Sequence, residues 1–186
     1  MDHYIDIRLL PDPEFPETVL MNALFAKLHR RLSEVGQHEI GVSFPDYRED
    51  PPRLGARLRL HGTHPALTRM MQTDWLKGMR DLLHLEGPHP VSRIKGYLQV
   101  KRVQPKSSPA RLRRRLMKRH GLSEAEAHQR IPDTAAQRLA LPYITLDSHS
   151  TGQRFRLFIR QQARDTAATG HFSQYGLSQD ATVPHF

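Results

Sequence analysis

The chain opens with two periodic segments, the first with the period of a strand and the second with that of a helix. Residues 4–9 alternate between apolar and polar side chains, which predicts a half-buried strand. The apolar residues that follow recur three or four positions apart, so we expect a helix over about 16–35. Gly36 lies where this pattern ends and suits the left-handed conformation that commonly terminates a helix.

Four further segments continue the pattern to about residue 103. They are a short strand, an alternating strand, a helical region and an extended segment, at 40–44, 54–61, 64–83 and 91–103. The resulting order, β-α-β-β-α-β, is typical of a four-stranded antiparallel sheet with two helices on one face. We therefore predict an α+β protein whose N-terminal domain is ferredoxin-like, or RRM-like.

The second half of the chain predicts two helices of different character. A basic segment at 108–120 has a serine and a proline at its start and is followed by a glycine, as helices commonly are. Ser123 and Glu126 have the spacing of a capping box, which predicts another short helix to about residue 130.

A β-hairpin is predicted after these helices. Strand-like segments at 143–148 and 154–160 flank a turn, and residues 172–177 have the composition of one more strand. We place a domain boundary after residue 95, which gives a ferredoxin-like domain at 1–95 and a smaller C-terminal domain at 96–186.

Positive charge is concentrated in one window of the chain. The formal net charge is +9, and no Asp or Glu occurs between Gly87 and Ser123. Since 11 lysines and arginines lie in that window, the remainder of the chain carries a net charge of −2. One basic segment on a near-neutral body is typical of a site for a polyanion, although a solvated basic face is the simpler alternative.

The cations of the predicted basic helix form a stripe along one face, with i, i+3, i+4, i+7 spacing. The stripe consists of Arg111, Arg114, Arg115 and Lys118, and Arg119 is the next residue in the sequence. Like charges at this spacing repel one another, and a bound anion would neutralise them. Because arginine makes forked contacts to phosphate and guanine, the stripe favours binding to a short RNA stem-loop.

Composition excludes several classes of protein. The chain has no cysteine, which excludes disulfides and thiolate metal sites and makes a cytoplasmic location the default. No apolar run approaches the roughly 20 residues of a membrane-spanning helix, so we expect no membrane association. The charged, alternating N-terminus does not resemble a signal peptide.

Several polar residues are candidates for chemistry or recognition. His29 lies at the edge of the apolar stripe of the first helix, where it is either a general base or a boundary residue that packs its ring. His61 and His64 have the i, i+3 spacing of metal ligands, but nothing nearby completes a site, so we expect no metal and no cofactor. Arg102 and Gln104 face the same way on an extended segment, and these residue types suit guanine and adenine, although exposed polar pairs are common on strands.

Longer stretches of the sequence resemble a known family. They are MDHYIDIRL, IGVSFPD, RVQPKSSPARLRRRLMKRHGLSEAEA, RIPDT, LPYITLDSHSTGQRFRLFIR and YGLS. Over most of its length the chain is similar to the CRISPR RNA-processing endoribonuclease of the type I-F system, whereas residues 61–90 and 161–171 carry little of the likeness.

The resemblance implies three catalytic residues. His29 on the first helix corresponds to the catalytic histidine, Ser148 to a serine that orients the ribose, and Tyr175 to a tyrosine in the last strand that positions the histidine.

The resemblance also implies RNA contacts. Arg102 and Gln104 would recognise the base of the stem, Phe155 would stack on the last base pair, and Ser150 would lie close by. The basic helix would follow the stem phosphates in the major groove. Lys118 stands where the family usually has arginine; it keeps the charge but loses the forked geometry.

The implied activity is metal-independent cleavage of CRISPR precursor RNA at the 3′ base of the repeat stem-loop. The 2′-hydroxyl would attack the adjacent phosphate, giving a 2′,3′-cyclic phosphate and a 5′-hydroxyl, and the enzyme would stay bound to its product. The expected partners are the repeat stem-loop and the subunits of a crRNA-guided surveillance complex, with a monomer in the free state and a bacterial, cytoplasmic location. The alternatives are a non-catalytic protein that binds an RNA hairpin and a DNA-binding protein, for which no helix-turn-helix spacing is visible.

Overall fold

The computed structural model describes residues 1–36, 38–104, 109–132, 139–148 and 152–186. Ser108, the predicted cap of the basic helix, and Ser150, a predicted RNA contact, lie outside these ranges. The strands and helices in chain order are β1 (His3–Leu9), α1 (Glu17–Val35), β2 (Gly41–Ser43), β3 (Arg57–Gly62), α2 (His64–Met71), β4 (Leu83–Pro90), β5 (Gly96–Val103), α3 (Pro109–His120), α4 (Glu124–Arg130), β6 (Tyr143–Asp147), β7 (Arg154–Arg164) and β8 (Val183–His185).

The described residues group into two compact units. Residues 1–103 and 141–186 form the first unit, which contains two four-stranded antiparallel sheets. Residues 104–140 form the second unit, which contains α3 and α4.

The first sheet has the strand order β2-β3-β1-β4, and its strands and helices follow one another as β-α-β-β-α-β. This arrangement is compatible with the predicted ferredoxin-like α+β fold. Ile5 and Ile7 of β1 pair with Leu60 and Leu58 of β3, and all four side chains are buried. The apolar stripe of α1 is buried as well, and burial of each leucine or phenylalanine contributes on the order of 1.5–3 kcal/mol. The helix ends at Gly36 in the left-handed conformation, as predicted.

The fourth strand of this sheet is not the segment that we predicted. The extended segment at 91–103 was expected to complete the sheet, and the helical region was expected to reach residue 83. Instead, α2 ends at Met71, and the sheet is completed by Leu83–Pro90. This strand lies at the sheet edge, where all of its side chains except Leu83 are exposed, and it contains two prolines. An edge strand tolerates proline and needs no apolar alternation, so its sequence lacks the usual pattern.

The second sheet contains the predicted hairpin and has the strand order β6-β7-β5-β8. The predicted strand at 172–177 is wrong, because these residues form a turn, and the last strand is Val183–His185. Gly176 adopts φ +68° in that turn and lies against Val42, where a Cβ would come within 2.6 Å of the valine Cγ1. The turn therefore requires glycine and packs tightly on β2.

Two side-chain contacts position the second sheet against the elements of the first. The Gln161 amide donates to the Phe44 carbonyl oxygen and accepts from the Phe44 N–H, at 3.1 and 2.9 Å. The Thr145 N–H on β6 donates to Asn22 Oδ1 on α1 at 2.9 Å. The hydrogen bond between Thr145 and Asn22 holds the hairpin beside α1, and this is the part of the fold that positions the candidate site.

The second unit contains the predicted basic helix. The cationic side chains of the stripe and its neighbour, Arg111, Arg114, Arg115, Lys118 and Arg119, are all exposed, whereas Leu112 and Leu116 are half-buried. Arg113 Nε donates to the Ile131 carbonyl oxygen at 2.7 Å. The capping box between Ser123 and Glu126 is present, and its hydrogen bonds lower the pKa of the Glu126 carboxyl.

His61 is a fully buried histidine of the first sheet. Its Nε2 shares a hydrogen bond of 2.8 Å with Ser43 Oγ, and its Nδ1 has no hydrogen-bond partner among the described residues. Burial, with a smaller contribution from the neighbouring Arg59 guanidinium, lowers the pKa of His61 to about 3. His61 is therefore neutral in the folded protein at neutral pH, which makes it a structural residue rather than a cation.

This burial predicts a pH-dependent stability. The unfolded chain protonates His61 near its ordinary pKa of 6.5, whereas the folded chain does so only near 3, so stability is complete above pH 6.5 and falls as the pH drops toward 3. When the pH is lowered from 7.5 to 5.5, protonation of His61 in the unfolded chain should decrease the free energy of unfolding by about 1.4 kcal/mol. Urea denaturation of His61→Gln should show a pH dependence smaller by that amount. His171→Gln, at an exposed position, is the matched control, and an equal change in both variants would contradict the assignment.

Candidate active site

His29 lies near the middle of α1 with its ring half-buried. Its Nδ1 lies 2.9 Å from the carbonyl oxygen of Gln174. A carbonyl oxygen only accepts hydrogen bonds, so Nδ1 must carry the proton and donate it. In the neutral ring this leaves the lone pair on Nε2, the form that can accept a proton from a substrate.

The aromatic ring of Tyr175 fixes the plane of this imidazole. The His29 and Tyr175 rings stack with centroids 4.2 Å apart and an angle of 15° between their planes. The ring of Phe25, one turn earlier on α1, is nearly parallel to the ring of Tyr175, and the two ring centroids are 6.5 Å apart. The histidine is therefore oriented by the turn within residues 172–177, a segment whose composition predicts a strand.

A pocket of about 480 Å³ brings four of the predicted site residues together. Its lining includes His29, Ser148, Phe155 and Tyr175. Asn22, Ala26 and His29 occupy positions i, i+4 and i+7 of α1 and so lie on one face of the helix. Because Asn22 is bonded to β6, that face of the helix is directed at the hairpin.

Ser148 follows directly after β6, at the beginning of the hairpin turn. Its N–H donates to the Gln153 carbonyl oxygen at 2.9 Å, and its own carbonyl oxygen accepts from the Gly152 N–H at 2.8 Å. These backbone bonds hold the serine at the pocket wall. Arg154 and Asp147 form an exposed ion pair at 3.0 Å beside it.

Arg102, one of the predicted stem-recognition residues, contacts Phe155 at the lining of this pocket. The Arg102 guanidinium lies 5.8 Å from the centre of the Phe155 ring, a cation–π contact, and its backbone carbonyl accepts from the Gln179 amide. Gln104 is exposed and begins the second unit, to which the basic helix also belongs.

Two features of the site were not predicted from the sequence. The Gln174 contact is made by a backbone carbonyl, which carries no residue-type signature, and it is separated from His29 by 145 positions. Arg30 also lines the pocket, and its only signal was its position next to a candidate histidine.

Neither a metal-binding cluster nor a membrane span is found in the part of the chain that the structure describes. No three His, Asp or Glu side chains of these residues are grouped so that they could hold a metal ion. Among the same residues, no helix has the length and apolar character needed to cross a membrane.

Comparison with known proteins identifies the family. Residues 4–186 match the model of the CRISPR-associated protein family Cas_Csy4. The chain is 55% identical over 187 residues to the CRISPR-associated endonuclease Cas6/Csy4 of Pseudomonas aeruginosa (strain UCBPP-PA14), and 49% identical over 187 residues to that of Escherichia coli (strain UTI89 / UPEC), with both proteins covered completely. The resemblance seen in the sequence is thereby confirmed, and the chain belongs to the Cas_Csy4 family of CRISPR-associated proteins, in which these two relatives are endonucleases.

Proposed function

We propose that this protein is a metal-independent endoribonuclease that cuts CRISPR precursor RNA at the 3′ base of a repeat stem-loop and stays bound to the product. The observation that carries the proposal is the orientation of His29. Its Nδ1 is engaged by a backbone carbonyl and its ring is stacked on Tyr175, in a pocket that Ser148 also lines. This arrangement leaves Nε2 available to a substrate.

The proposed reaction uses the RNA as its own nucleophile. His29 Nε2 removes the proton of the 2′-hydroxyl, whose oxygen attacks the adjacent phosphorus as the bond to the 5′-oxygen breaks. The leaving oxygen takes a proton from solvent, so the products carry a 2′,3′-cyclic phosphate and a 5′-hydroxyl. Ser148 is assigned to hold the ribose, because in-line attack depends on the position of the sugar. Tyr175 is a positioning residue that acts through the imidazole.

Recognition of the stem is assigned to residues outside the reacting centre. Phe155 would stack on the last base pair, Arg102 and Gln104 would recognise bases at the foot of the stem, and Ser150 would contact the RNA nearby. The exposed stripe of α3 would bind the stem phosphates, which supply much of the affinity in protein–nucleic acid complexes. The division at residue 95 into a ferredoxin-like and an RNA-binding domain is part of this proposal.

We infer that the enzyme acts as a monomer on precursor RNA in the bacterial cytoplasm. With its product still bound, it would join the other subunits of a crRNA-guided surveillance complex.

Incubation of the protein with a repeat hairpin in excess EDTA tests the proposal directly. We expect cleavage to continue and to give a 2′,3′-cyclic phosphate and a 5′-hydroxyl, identified by the resistance of the 3′ end to ligation and by mass. Binding without cleavage would favour the non-catalytic hairpin-binding alternative. Loss of cleavage with EDTA and recovery with a divalent ion would overturn the metal-independent mechanism.

The assignment of α3 to phosphate binding predicts a change in salt dependence. Arg115→Ala should weaken hairpin binding and lower the slope of log K against log salt by roughly 0.7–0.9, the contribution of one phosphate contact. Arg53→Ala, which removes one exposed charge from the loop between β2 and β3, is the control and should leave the slope unchanged. An unchanged slope in Arg115→Ala would show that this side chain does not bind phosphate.

A further inference from the structure

A second cavity adjoins the candidate active site along α1. It has a volume of about 420 Å³ and is lined by residues of α1 and of the segment 73–77, among them Lys27, Trp75 and Lys77. Arg30 lines both this cavity and the pocket of His29. We call the second cavity the α1 side cavity.

The α1 side cavity has an excess of available positive charge. Its two carboxylates, Glu34 and Asp74, are each held by an arginine, at 3.3 Å from Arg31 and 2.9 Å from Arg80. Arg30 is exposed and forms no ion pair with any residue of the described ranges. An exposed guanidinium between a catalytic pocket and a basic cavity is well placed to bind a phosphate.

The other walls of the cavity are also suited to a nucleotide. The Lys27 ammonium donates to the Lys77 carbonyl oxygen at 2.8 Å, which fixes one cation at the rim and leaves it two further N–H donors. Trp75 contributes a half-buried indole, and aromatic rings beside cations are typical of sites that hold single-stranded nucleic acid.

If the proposed function is correct, the position of the cavity determines which part of the RNA can bind in it. Phe155 borders the active-site pocket from the second sheet, where it contacts Arg102, and this side is assigned to the stem. Arg30 borders the pocket from α1, and the cavity continues from it toward 73–77. RNA that enters past Phe155 and is cut at His29 would therefore leave past Arg30.

We propose that the α1 side cavity binds the first nucleotides on the 3′ side of the scissile phosphate. Arg30 and Lys27 contact their phosphates, and a base lies against Trp75. These contacts hold the leaving strand before cleavage and are lost with it, since the product that stays bound ends at the cut.

The test compares three hairpins that cannot be cut because the nucleotide 5′ of the scissile phosphate lacks its 2′-hydroxyl. The short hairpin ends at that nucleotide, and the 3′-extended hairpin carries three more nucleotides after it. The 5′-extended hairpin also ends at that nucleotide but carries three more nucleotides at the 5′ end of the RNA. The wild-type protein should bind the 3′-extended hairpin on the order of tenfold more tightly than the short one, about 1.4 kcal/mol. The 3′ extension should also steepen the salt dependence by roughly 0.7 per added phosphate contact.

Variants at Arg30 identify the residue responsible. Arg30→Ala should abolish most of the gain from the 3′ extension without weakening binding of the short hairpin. Arg30→Lys should retain part of the gain, and Arg53→Ala should retain all of it. Because Arg30 is exposed, neither of its substitutions should affect folding.

The outcomes separate this inference from the proposed function. Equal affinity of wild-type protein for short and 3′-extended hairpins would overturn the inference and leave the proposed function intact. The inference would also be overturned if Arg30→Ala weakened binding of the short hairpin as much as binding of the 3′-extended one, or if it changed binding of the 5′-extended hairpin only. Failure of the short hairpin to bind at all would instead overturn the proposed function.

Discussion

His29→Ala should lower the single-turnover cleavage rate constant by about 10²–10⁴-fold, the usual contribution of a general base. The affinity for the hairpin should change little, since a group that transfers a proton in the transition state adds little to binding of the ground state. Rapid mixing of excess enzyme with labelled RNA gives the rate constant, and titration of an uncleavable hairpin gives the affinity.

His38→Ala is a matched control for this substitution. The His38 Nδ1 lies 2.8 Å from the carbonyl oxygen of Phe172, so His38 makes the same type of backbone contact as His29 in the same part of the chain. It does not line the active-site pocket. We expect His38→Ala to cut the hairpin at close to the wild-type rate.

A structural role for His29 would give a different pattern. If the residue only packs its ring at the edge of the core, His29→Ala should lower the rate, the affinity and the unfolding free energy together. His29→Gln separates the roles further, because an amide can replace the bond to the Gln174 carbonyl but cannot act as a base. A rate for His29→Gln near that of the wild type would remove His29 from the proposed chemistry.

The elements that the sequence predicted well are those whose pattern records burial on one face. The stripe of α1 and the alternation of β1 are such patterns, because each apolar side chain contacts the same core. β4 was missed because an exposed edge strand has no such requirement. The segment 172–177 was misjudged because its apolar residues pack around a turn at Gly176 rather than along a strand.

The chemistry of the site was harder to infer from the residues alone. A histidine at the boundary of an apolar stripe is common, and only the resemblance to a family singled out His29, Ser148 and Tyr175. Their roles stay predictions, but their proximity now has a physical basis in the stack on Tyr175 and in the bond from Asn22 to β6. Neither contact could be inferred from spacing, because each joins residues more than 100 positions apart.

The position of Arg30 between the two cavities likewise could not be inferred from sequence spacing. Its neighbour His29 points to the hairpin side of α1, whereas Arg30 turns about 100° further around the helix and reaches the second cavity as well. The sequence indicated no function for residues 73–77, which complete this cavity. Only the fold brings them beside α1.

Removal of a single oxygen from the RNA should abolish cleavage. If the 2′-hydroxyl is the nucleophile, a hairpin with one deoxynucleotide immediately 5′ of the scissile phosphate has no group that can attack the phosphorus. Its affinity should remain close to that of the all-RNA hairpin, because the assigned stem contacts of α3 and Phe155 do not involve that oxygen. Cleavage and binding are measured on the same two RNAs.

A deoxynucleotide one position further from the cut is the matched control. That RNA has the same number of 2′-hydroxyl groups but retains the one proposed to attack, so it should be cut at a rate close to that of the all-RNA hairpin. An enzyme that activates water, or one that uses Ser148 as a covalent nucleophile, would cut both substituted RNAs. Appreciable cleavage of the first RNA would therefore exclude 2′-hydroxyl attack, and with it the role of His29 as the base for that proton, whatever the outcome of the His29 substitutions.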